Sequence, residues 1–278
     1  MHQLSFAISD VRVELHSDLD ELLPALDAVW ARCRTPLLPT TRVARFEAVA
    51  DGECYVVRAE QQSLRVERRE DVLPVLESAL YRALPGWHAG RLLLHAACVR
   101  SAGQVVLLVG RSGAGKSSLA LAAVRRGFDY FSDELTVVDG GRVWGVPRAL
   151  QFEPVLDAGQ LAPWLLGLEL AAYRLRLDGE RRGCLPLWLP PARQVPDTPA
   201  PARGLHVYAI ERAARSELAP CSALEALAVL HEAAFAPPQH DLGALLRQGG
   251  MGRLRWHEPD AAIDLLEERL AATRASRP

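Results

Sequence analysis

Residues 104–117 carry the strongest indication of the fold, and they read Gln104-Val-Val-Leu-Leu-Val109-Gly110-Arg-Ser-Gly-Ala-Gly115-Lys116-Ser117. An apolar run of strand length ends at Val109, and Ser112–Arg126 follows as a predicted helix that starts near Gly115. Gly110–Ser117 fits the pattern G-x-x-x-x-G-K-[ST], in which glycines let backbone N–H groups turn inward around phosphate groups. The sequence therefore predicts a phosphate-binding loop between a strand and a helix. The alternative is a glycine-rich turn that caps an ordinary helix.

The predicted loop implies a set of nucleotide contacts, because the helix N-terminus adds free N–H donors and a partial positive charge. Lys116 is expected to reach the β- and γ-phosphates of ATP, and the hydroxyl of Ser117 is expected to bind Mg²⁺. The predicted nucleotide-binding residues are Gly110, Arg111, Ser112, Gly113, Ala114, Gly115, Lys116, Ser117 and Ser118.

Lys116 stands out in the composition, because it is the single lysine among 32 basic residues. Arginine carries a planar guanidinium group, whereas lysine carries a compact ammonium group at the end of an unbranched alkyl chain. A site crowded by phosphate oxygens and backbone can require the compact group. The alternative is that one lysine survives at this position by chance.

The bulk composition is that of a globular protein, with 49% hydrophobic and 24% charged residues and a net charge of −2 in 278 residues. This balance argues against partners that are nucleic acids or anionic membranes. The first twenty residues mix charged and apolar groups, which argues against a signal peptide, and no run is long enough to span a bilayer. Five widely spaced cysteines indicate reduced thiols, so we expect a cytoplasmic protein.

Residues 1–90 are predicted to form a small α+β unit, and residues 91–278 a larger domain. Alternating apolar positions in Leu4–Leu15 and Phe46–Arg68 predict antiparallel strands, and Asp71–Leu84 has helical spacing that Pro85-Gly86 is expected to stop. In the larger domain, strand, glycine loop, helix and strand follow within about forty residues, which indicates an α/β core with a partly parallel sheet.

Other elements of the larger domain can be predicted from local signals. They are strands at Leu92–Val99, Phe128–Ser132, Leu135–Val138, Arg142–Val146, Leu205–Ile210 and Leu254–Trp256, a left-handed cap at Gly127, a helix opened by the capping box Ser222–Glu225, a terminal helix at Pro259–Thr273, and a proline-rich irregular connection at Pro186–Pro201.

Two adjacent acidic residues, Asp133 and Glu134, are predicted to lie on the strand that follows the loop's own helix. Such a strand can lie next to the strand that leads into the loop, which would bring the carboxylates to the γ-phosphate. Adjacent side chains on an extended strand point to opposite faces, so both can share a site only where the strand bends or ends. The alternative is a pair of solvated turn residues.

Together, Leu94-His95-Ala-Ala-Cys-Val99, Gly110–Ser118, Arg126-Gly127-Phe128 and Ser132-Asp133-Glu134-Leu135 resemble the C-terminal domain of HPr kinase/phosphorylase and its smaller relatives, which include kinases of lasso-peptide precursors. The detailed resemblance covers about residues 91–150. It implies a P-loop nucleotide-binding domain of the HPr kinase and phosphoenolpyruvate carboxykinase type, with a smaller N-terminal α+β unit.

The resemblance also implies roles for individual residues. Asp133 would accept the proton of the substrate serine, Glu134 would help to hold Mg²⁺ together with Ser117, and His95 would lie near the phosphates. The bifunctional enzymes have Asp-Asp where this chain has Asp-Glu, so either carboxylate, Asp133 or Glu134, can be the base or the metal ligand. The segment that recognises HPr is missing, so HPr is not the expected substrate.

Two predicted site residues have simpler alternatives. His95 lies within an apolar strand, where a histidine is often a hydrogen-bonded core residue. Arg148 belongs to a Pro-Arg element associated with these relatives and can stabilise charge on a transferring phosphoryl group, but it can also be an ordinary surface arginine. Cys98 is predicted to be a small buried apolar group rather than a nucleophile.

The predicted function is an ATP-dependent kinase that uses Mg²⁺, with Asp133, Lys116, His95 and Arg148 as catalytic residues and a serine of a peptide or small protein as acceptor. The alternatives are a kinase of a small molecule, such as a sugar or polysaccharide precursor, and a regulator that binds a nucleotide without transferring phosphate. GTP or pyrophosphate as donor stays open. The terminal helices can pack in the core or form contacts of a homo-oligomer, as HPr kinases assemble as hexamers.

Overall fold

The computed structural model describes residues 1–30, 33, 41–60, 62–139, 141–146, 148, 150–152, 173–177, 180–187, 200–201, 204–235, 242–246 and 249–275. The chain divides into two compact units. Unit 1 comprises Met1–Trp87 and Arg148–Pro190, and unit 2 comprises His88–Pro147 and Pro191–Pro278. The division near residue 87 lies close to the predicted boundary, whereas 148–190 groups with the N-terminal unit instead of the larger domain.

Unit 1 is built around a sheet whose described strands lie in chain order: β1 (His2–Ile8), β2 (Val11–Ser17), β3 (Arg42–Asp51), β4 (Cys54–Ala59) and β5 (Gln62–Val66). All neighbours are antiparallel except β2 and β3, which are parallel. Parallel neighbours need a long crossover, and the segment between these strands contains helix α1 (Leu22–Trp30). The predicted antiparallel strands are confirmed within each of the two stretches, β1–β2 and β3–β5, whereas the parallel pair β2–β3 was not predicted, because α1 was not predicted.

Helix α2 (Val72–Trp87) continues through Pro85, so the predicted stop at Pro85-Gly86 is wrong. A contact outside the helix accounts for the extra residues. Trp87 is 9% exposed, and its indole Nε1 donates to Glu60 Oε1 at 2.9 Å. This anchoring holds the last turn against the local preference of proline to end a helix.

The second segment of unit 1 forms a separate small sheet of β11 (Leu150–Phe152), β12 (Tyr173–Leu177) and β13 (Glu180–Leu187), with β13 central. Strand β12 contacts α2, which links this sheet to the N-terminal residues of the unit. Pro186 lies in β13 and Ala200–Pro201 forms β14, so both ends of the predicted irregular connection are regular structure. Residues 188–199 of that prediction lie outside the described residues.

Unit 2 is a mixed α/β structure, as predicted. Its other described strands are β6 (Leu92–Ser101), β7 (Gln104–Val109), β8 (Asp129–Ser132), β9 (Leu135–Asp139), β10 (Arg142–Gly145), β15 (Leu205–Arg212), β16 (Glu217–Pro220) and β17 (Met251–Trp256). Its described helices are α3 (Lys116–Arg125), α4 (Ala223–Ala233), α5 (Leu242–Leu246) and α6 (Pro259–Ala275).

The sheet of unit 2 has the order β14-β10-β9-β6-β7-β15-β17-β16, with β8 also paired to β6. Strands β7, β15 and β17 are parallel, and the other pairs are antiparallel. The acidic pair therefore follows a strand beside β6, not one beside β7 as expected. The reason is that the sheet adds an antiparallel strand, β6, between the loop-bearing strand and the strands after α3.

Helices cover the central strands of unit 2, and every residue of β7 is buried. Val105, Leu107 and Val109 share a core cluster with Ala226 and Leu230 of α4. Because successive side chains of a strand point to opposite faces, the intervening residues of β7 face the other side. This burial on both faces explains the continuous apolar run that precedes the loop.

Several local predictions in unit 2 are confirmed. Gly127 has φ 104° after α3, and β9 and β10 pair as a hairpin. Ser222 Oγ accepts from the backbone N–H of Glu225, whose carboxylate accepts from the backbone N–H of Ser222, and α4 begins there. Cys98 is fully buried and burial raises the pKa of its thiol, which agrees with an apolar packing role. None of the helices in the described ranges is long and apolar enough to cross a membrane.

Candidate functional site

The segment Gly110–Ser117, here called the glycine loop, connects β7 to α3 at the carboxyl ends of the parallel strands. Gly113 and Gly115 have φ values of 79° and 91°, in the left-handed region that side chains other than hydrogen disfavour. A Cβ atom on Gly115 would lie 2.0 Å from Cζ2 of Trp256, so the loop approaches that indole too closely for any side chain. Gly115 is therefore required by both conformation and space.

The neighbouring strands β15 and β17 shape the loop directly. A Cβ on Gly110 would lie 2.8 Å from the carbonyl oxygen of Ile210 in β15. Trp256, the last residue of β17, is fully buried and donates from Nε1 to the carbonyl oxygen of Ala114 at 2.9 Å. The backbone path of the loop is thus fixed from two strands and from one indole.

Lys116 is the first residue of α3 and is only 6% exposed. Its Nζ donates to the carbonyl oxygens of Gly110, at 2.8 Å, and Arg111, at 3.2 Å, so the ammonium lies against the loop backbone. Burial lowers the pKa of Lys116, and the nearby charge of Asp133 opposes this shift. A compact cation sits where the sequence predicted it, at the base of the glycine loop.

The segment Ser132–Leu135, here called the acidic turn, lies between β8 and β9. The buried Ser132 Oγ accepts from the backbone N–H groups of Glu134, at 3.1 Å, and Leu135, at 2.8 Å. The partner strand β6 is irregular between Cys98 and Val99. The chain therefore bends where Asp133 and Glu134 stand, the condition that adjacent carboxylates need to share a site.

Asp133 joins the acidic turn to the glycine loop. Its carboxylate is 3% exposed, and Oδ2 accepts from the hydroxyl of Ser117 at 2.7 Å. Oδ1 accepts from the hydroxyl of Tyr130 at 2.9 Å. Three side chains from β8, the turn and the first turn of α3 thus meet at one buried carboxylate. Tyr130 was not predicted as a site residue, because its position within an apolar strand is typical of a core residue.

The residues present fit a magnesium ion by the chemistry of their donor atoms. Ser117 Oγ and Asp133 Oδ2 lie 2.7 Å apart, and Glu134, the next residue in the chain, is half-buried. Among the described residues, no three His, Cys, Asp or Glu side chains converge as a metal cluster. Mg²⁺ in phosphate-transfer sites needs no such cage, since it is held by one or two carboxylates, substrate phosphates and water.

An open cleft of about 800 Å³ lies beside the glycine loop. It is lined by the loop residues Gly110–Ala114, by Ala209–Arg212 at the end of β15, by residues of α4, and by His95 and Arg253. His95 is half-buried on β6 with its ring 6.1 Å from that of Phe235, so the structure brings this predicted residue to the same cleft as the loop. Ligands of α/β proteins typically bind at this position, outside the carboxyl ends of parallel strands.

The remaining predicted residues differ in their placement. Arg111 and Ser112 line the cleft, and Ser118 lies in the first turn of α3. Arg148 belongs to unit 1, where it is 5% exposed, with Nη1 4.0 Å from Glu77 Oε1 and its guanidinium over the ring of Tyr81. Its described contacts thus lie within unit 1, and an ordinary exposed arginine at this position is excluded.

Of the residues that the structure describes, three arginines line the cleft: Arg111, Arg212 and Arg253. Arg212 and Arg253 were not singled out in the sequence, because nothing local distinguishes them among the many arginines of the chain. Only the parallel pairing of β15 with β7 and β17 brings them to the loop.

No protein-family model matches the chain, and no curated protein matches its sequence.

Proposed function

We propose that this chain is an ATP-dependent kinase of the HPr-kinase-like type, which transfers the γ-phosphate of ATP to a hydroxyl group. The proposed acceptor is a serine of a peptide or small protein. The observation that carries the proposal is the hydrogen bond of 2.7 Å between Ser117 of the glycine loop and the buried carboxylate of Asp133. It joins a phosphate-binding geometry to a group that can accept a proton.

ATP would bind with its phosphates against the glycine loop. The left-handed glycines turn the backbone N–H groups toward the ligand, and the start of α3 adds its free donors and partial positive charge. The ammonium of Lys116 would exchange its two backbone carbonyls for phosphate oxygens. Mg²⁺, held by Ser117 with Asp133 or Glu134, would supply further positive charge to the phosphates when bound.

In the transfer step, the acceptor hydroxyl gives its proton to Asp133 as its oxygen forms a bond to the γ-phosphorus. The bond between the γ-phosphorus and the bridging oxygen breaks, and ADP leaves with that electron pair. Lys116 and the loop N–H groups stabilise the charge that develops on the phosphate oxygens. Tyr130 holds Oδ1 of Asp133 and so orients the carboxylate.

Incubation of the purified chain with γ-labelled ATP and Mg²⁺, with serine-containing peptides in one arm and sugars in another, tests the proposal. We expect label in the peptide arm. Label in the sugar arm alone would support a small-molecule kinase. Label released only as free phosphate, or not at all, in the presence of tight ATP binding would contradict transfer and leave a nucleotide-binding regulator.

A further inference from the structure

We infer that Arg212 contacts the polyphosphate chain of the ligand in the cleft and that Trp256 holds it in position to do so. The inference rests on the proposed function only in that the ligand carries a polyphosphate chain. It does not depend on whether the phosphate is transferred. Arg212 lies in the same unit as the glycine loop.

Charge pairing distinguishes Arg212 from the other arginines that line the cleft. Arg111 pairs with Glu232, at 3.3 Å, and Arg253 pairs with Glu225, at 2.6 Å, so each of these arginines has a carboxylate partner. Arg212 forms no ion pair with any residue in the described ranges. A cation without a carboxylate partner at the rim of an anion-binding loop is available to a ligand.

The position of Arg212 follows from the sheet. Ala209 of β15 pairs with Val109 of β7, so β15 runs past the point where the chain turns into the glycine loop. Arg212 is the last residue of β15 and pairs with Trp256, the last residue of β17. Both therefore stand at the carboxyl edge of the parallel strands, where the loop also lies.

Trp256 links Arg212 to the loop. The guanidinium carbon of Arg212 lies 3.9 Å from the centre of the Trp256 ring, a cation–π contact. The same indole donates to Ala114 and contacts Gly115. One rigid side chain thus fixes both the backbone of the loop and the plane of the arginine. A flat, stacked guanidinium loses less freedom on binding than a mobile one and can contact phosphate oxygens with two N–H groups.

Binding of inorganic tripolyphosphate, measured by competition against a fluorescent ATP analogue, tests this inference. The replacement Arg212→Ala is expected to lower the affinity for tripolyphosphate and the affinity for ATP by the same factor, about tenfold, because the lost contact is to phosphate. Arg255→Ala is the matched control, since Arg255 neighbours Trp256 on β17, is not among the described residues that line the cleft, and is paired with Glu211 at 2.6 Å and Glu217 at 3.0 Å. We expect this control to change either affinity by less than about twofold.

The affinity of Arg212→Lys for both ligands is expected to lie between that of the wild-type chain and that of Arg212→Ala, because lysine keeps the charge but loses the planar stacking on Trp256. If Arg212→Ala lowers the affinity for ATP but leaves the affinity for tripolyphosphate unchanged, Arg212 contacts the nucleoside and the inference is wrong. Unchanged affinity of Arg212→Ala for both ligands, or an equal loss of affinity in Arg255→Ala, would also overturn the inference. A wild-type chain that binds ATP without transferring phosphate would contradict the kinase proposal and leave this test intact.

Discussion

The glycine loop and the acidic turn meet at one site but are held in shape by opposite means. In the glycine loop the absence of side chains decides the path, because a Cβ on Gly110 or Gly115 would collide with Ile210 or Trp256. In the acidic turn the side chains decide it, because hydroxyl groups of Ser132 and Tyr130 bind the backbone and the carboxylate. The glycine loop should therefore be sensitive to any added side chain, whereas the acidic turn should be sensitive to the loss of individual hydroxyl and carboxylate groups.

Replacement of the carboxylate in the acidic turn is expected to have the largest effect. Asp133→Asn keeps the shape of the side chain but removes the proton acceptor, so phosphate transfer should fall by about 1,000-fold. ATP affinity should change by less than about threefold, because the loop contacts stay in place. Transfer rates and equilibrium ATP binding, measured on the same preparation, check this. Transfer that persists at the wild-type rate would show that Asp133 is not the base.

Addition of one methyl group to the glycine loop tests its steric character. Gly115→Ala is expected to lower the free energy of unfolding by about 3 kcal/mol, from the left-handed strain together with the collision with Trp256. Gly113→Ala is the matched control, since Gly113 is also left-handed but a Cβ there meets nothing within 4 Å. Its cost should be about 1 kcal/mol, from strain alone.

Denaturant unfolding of the two glycine variants measures the difference between them. Equal destabilisation by Gly113→Ala and Gly115→Ala would show that the contact with Trp256 has no part in shaping the loop. In that case the glycine loop would be conformationally strained but not sterically closed.

The two regions also differ in how far the sequence predicts them. The position of the glycine loop, Gly110–Ser117, could be predicted, because the strand before it, its glycine spacing and the helix after it are all local in the chain. The steric requirement for glycine at position 115 could not be predicted, because parallel pairing of distant strands brings Trp256 next to it. For the acidic turn, Asp133 could be predicted as a site residue, but the pairing of β8 with β6 could not be predicted.

Unit 1 shows the same limit. Its alternating strands could be predicted from their period of two, but the parallel pair β2–β3 depends on the helix Leu22–Trp30. The last turn of α2 depends on the contact between Trp87 and Glu60. Propensity favours an end at Pro85, and tertiary contacts decide otherwise.

The smallest expected effect comes from the polar support of the acidic turn. Tyr130→Phe removes the hydroxyl that donates to Asp133 Oδ1 and keeps the ring in the core. Loss of one such hydrogen bond costs about 1 kcal/mol, so we expect transfer to fall by about fivefold with ATP affinity unchanged. Tyr208→Phe, at another buried tyrosine of the same sheet, is the control and should leave transfer unchanged. An equal loss in both variants would indicate a general effect on the fold.

We propose that the glycine loop and the acidic turn act as one site through Ser117 and Asp133. A double-mutant cycle with Ser117→Ala and Asp133→Asn, read as the rate of phosphate transfer from Mg²⁺-ATP, tests it most directly. If the two residues act together, the double variant should be about as slow as Asp133→Asn alone, with a coupling of about 1 kcal/mol or more. Additive losses, with no coupling between Ser117 and Asp133, would contradict the account.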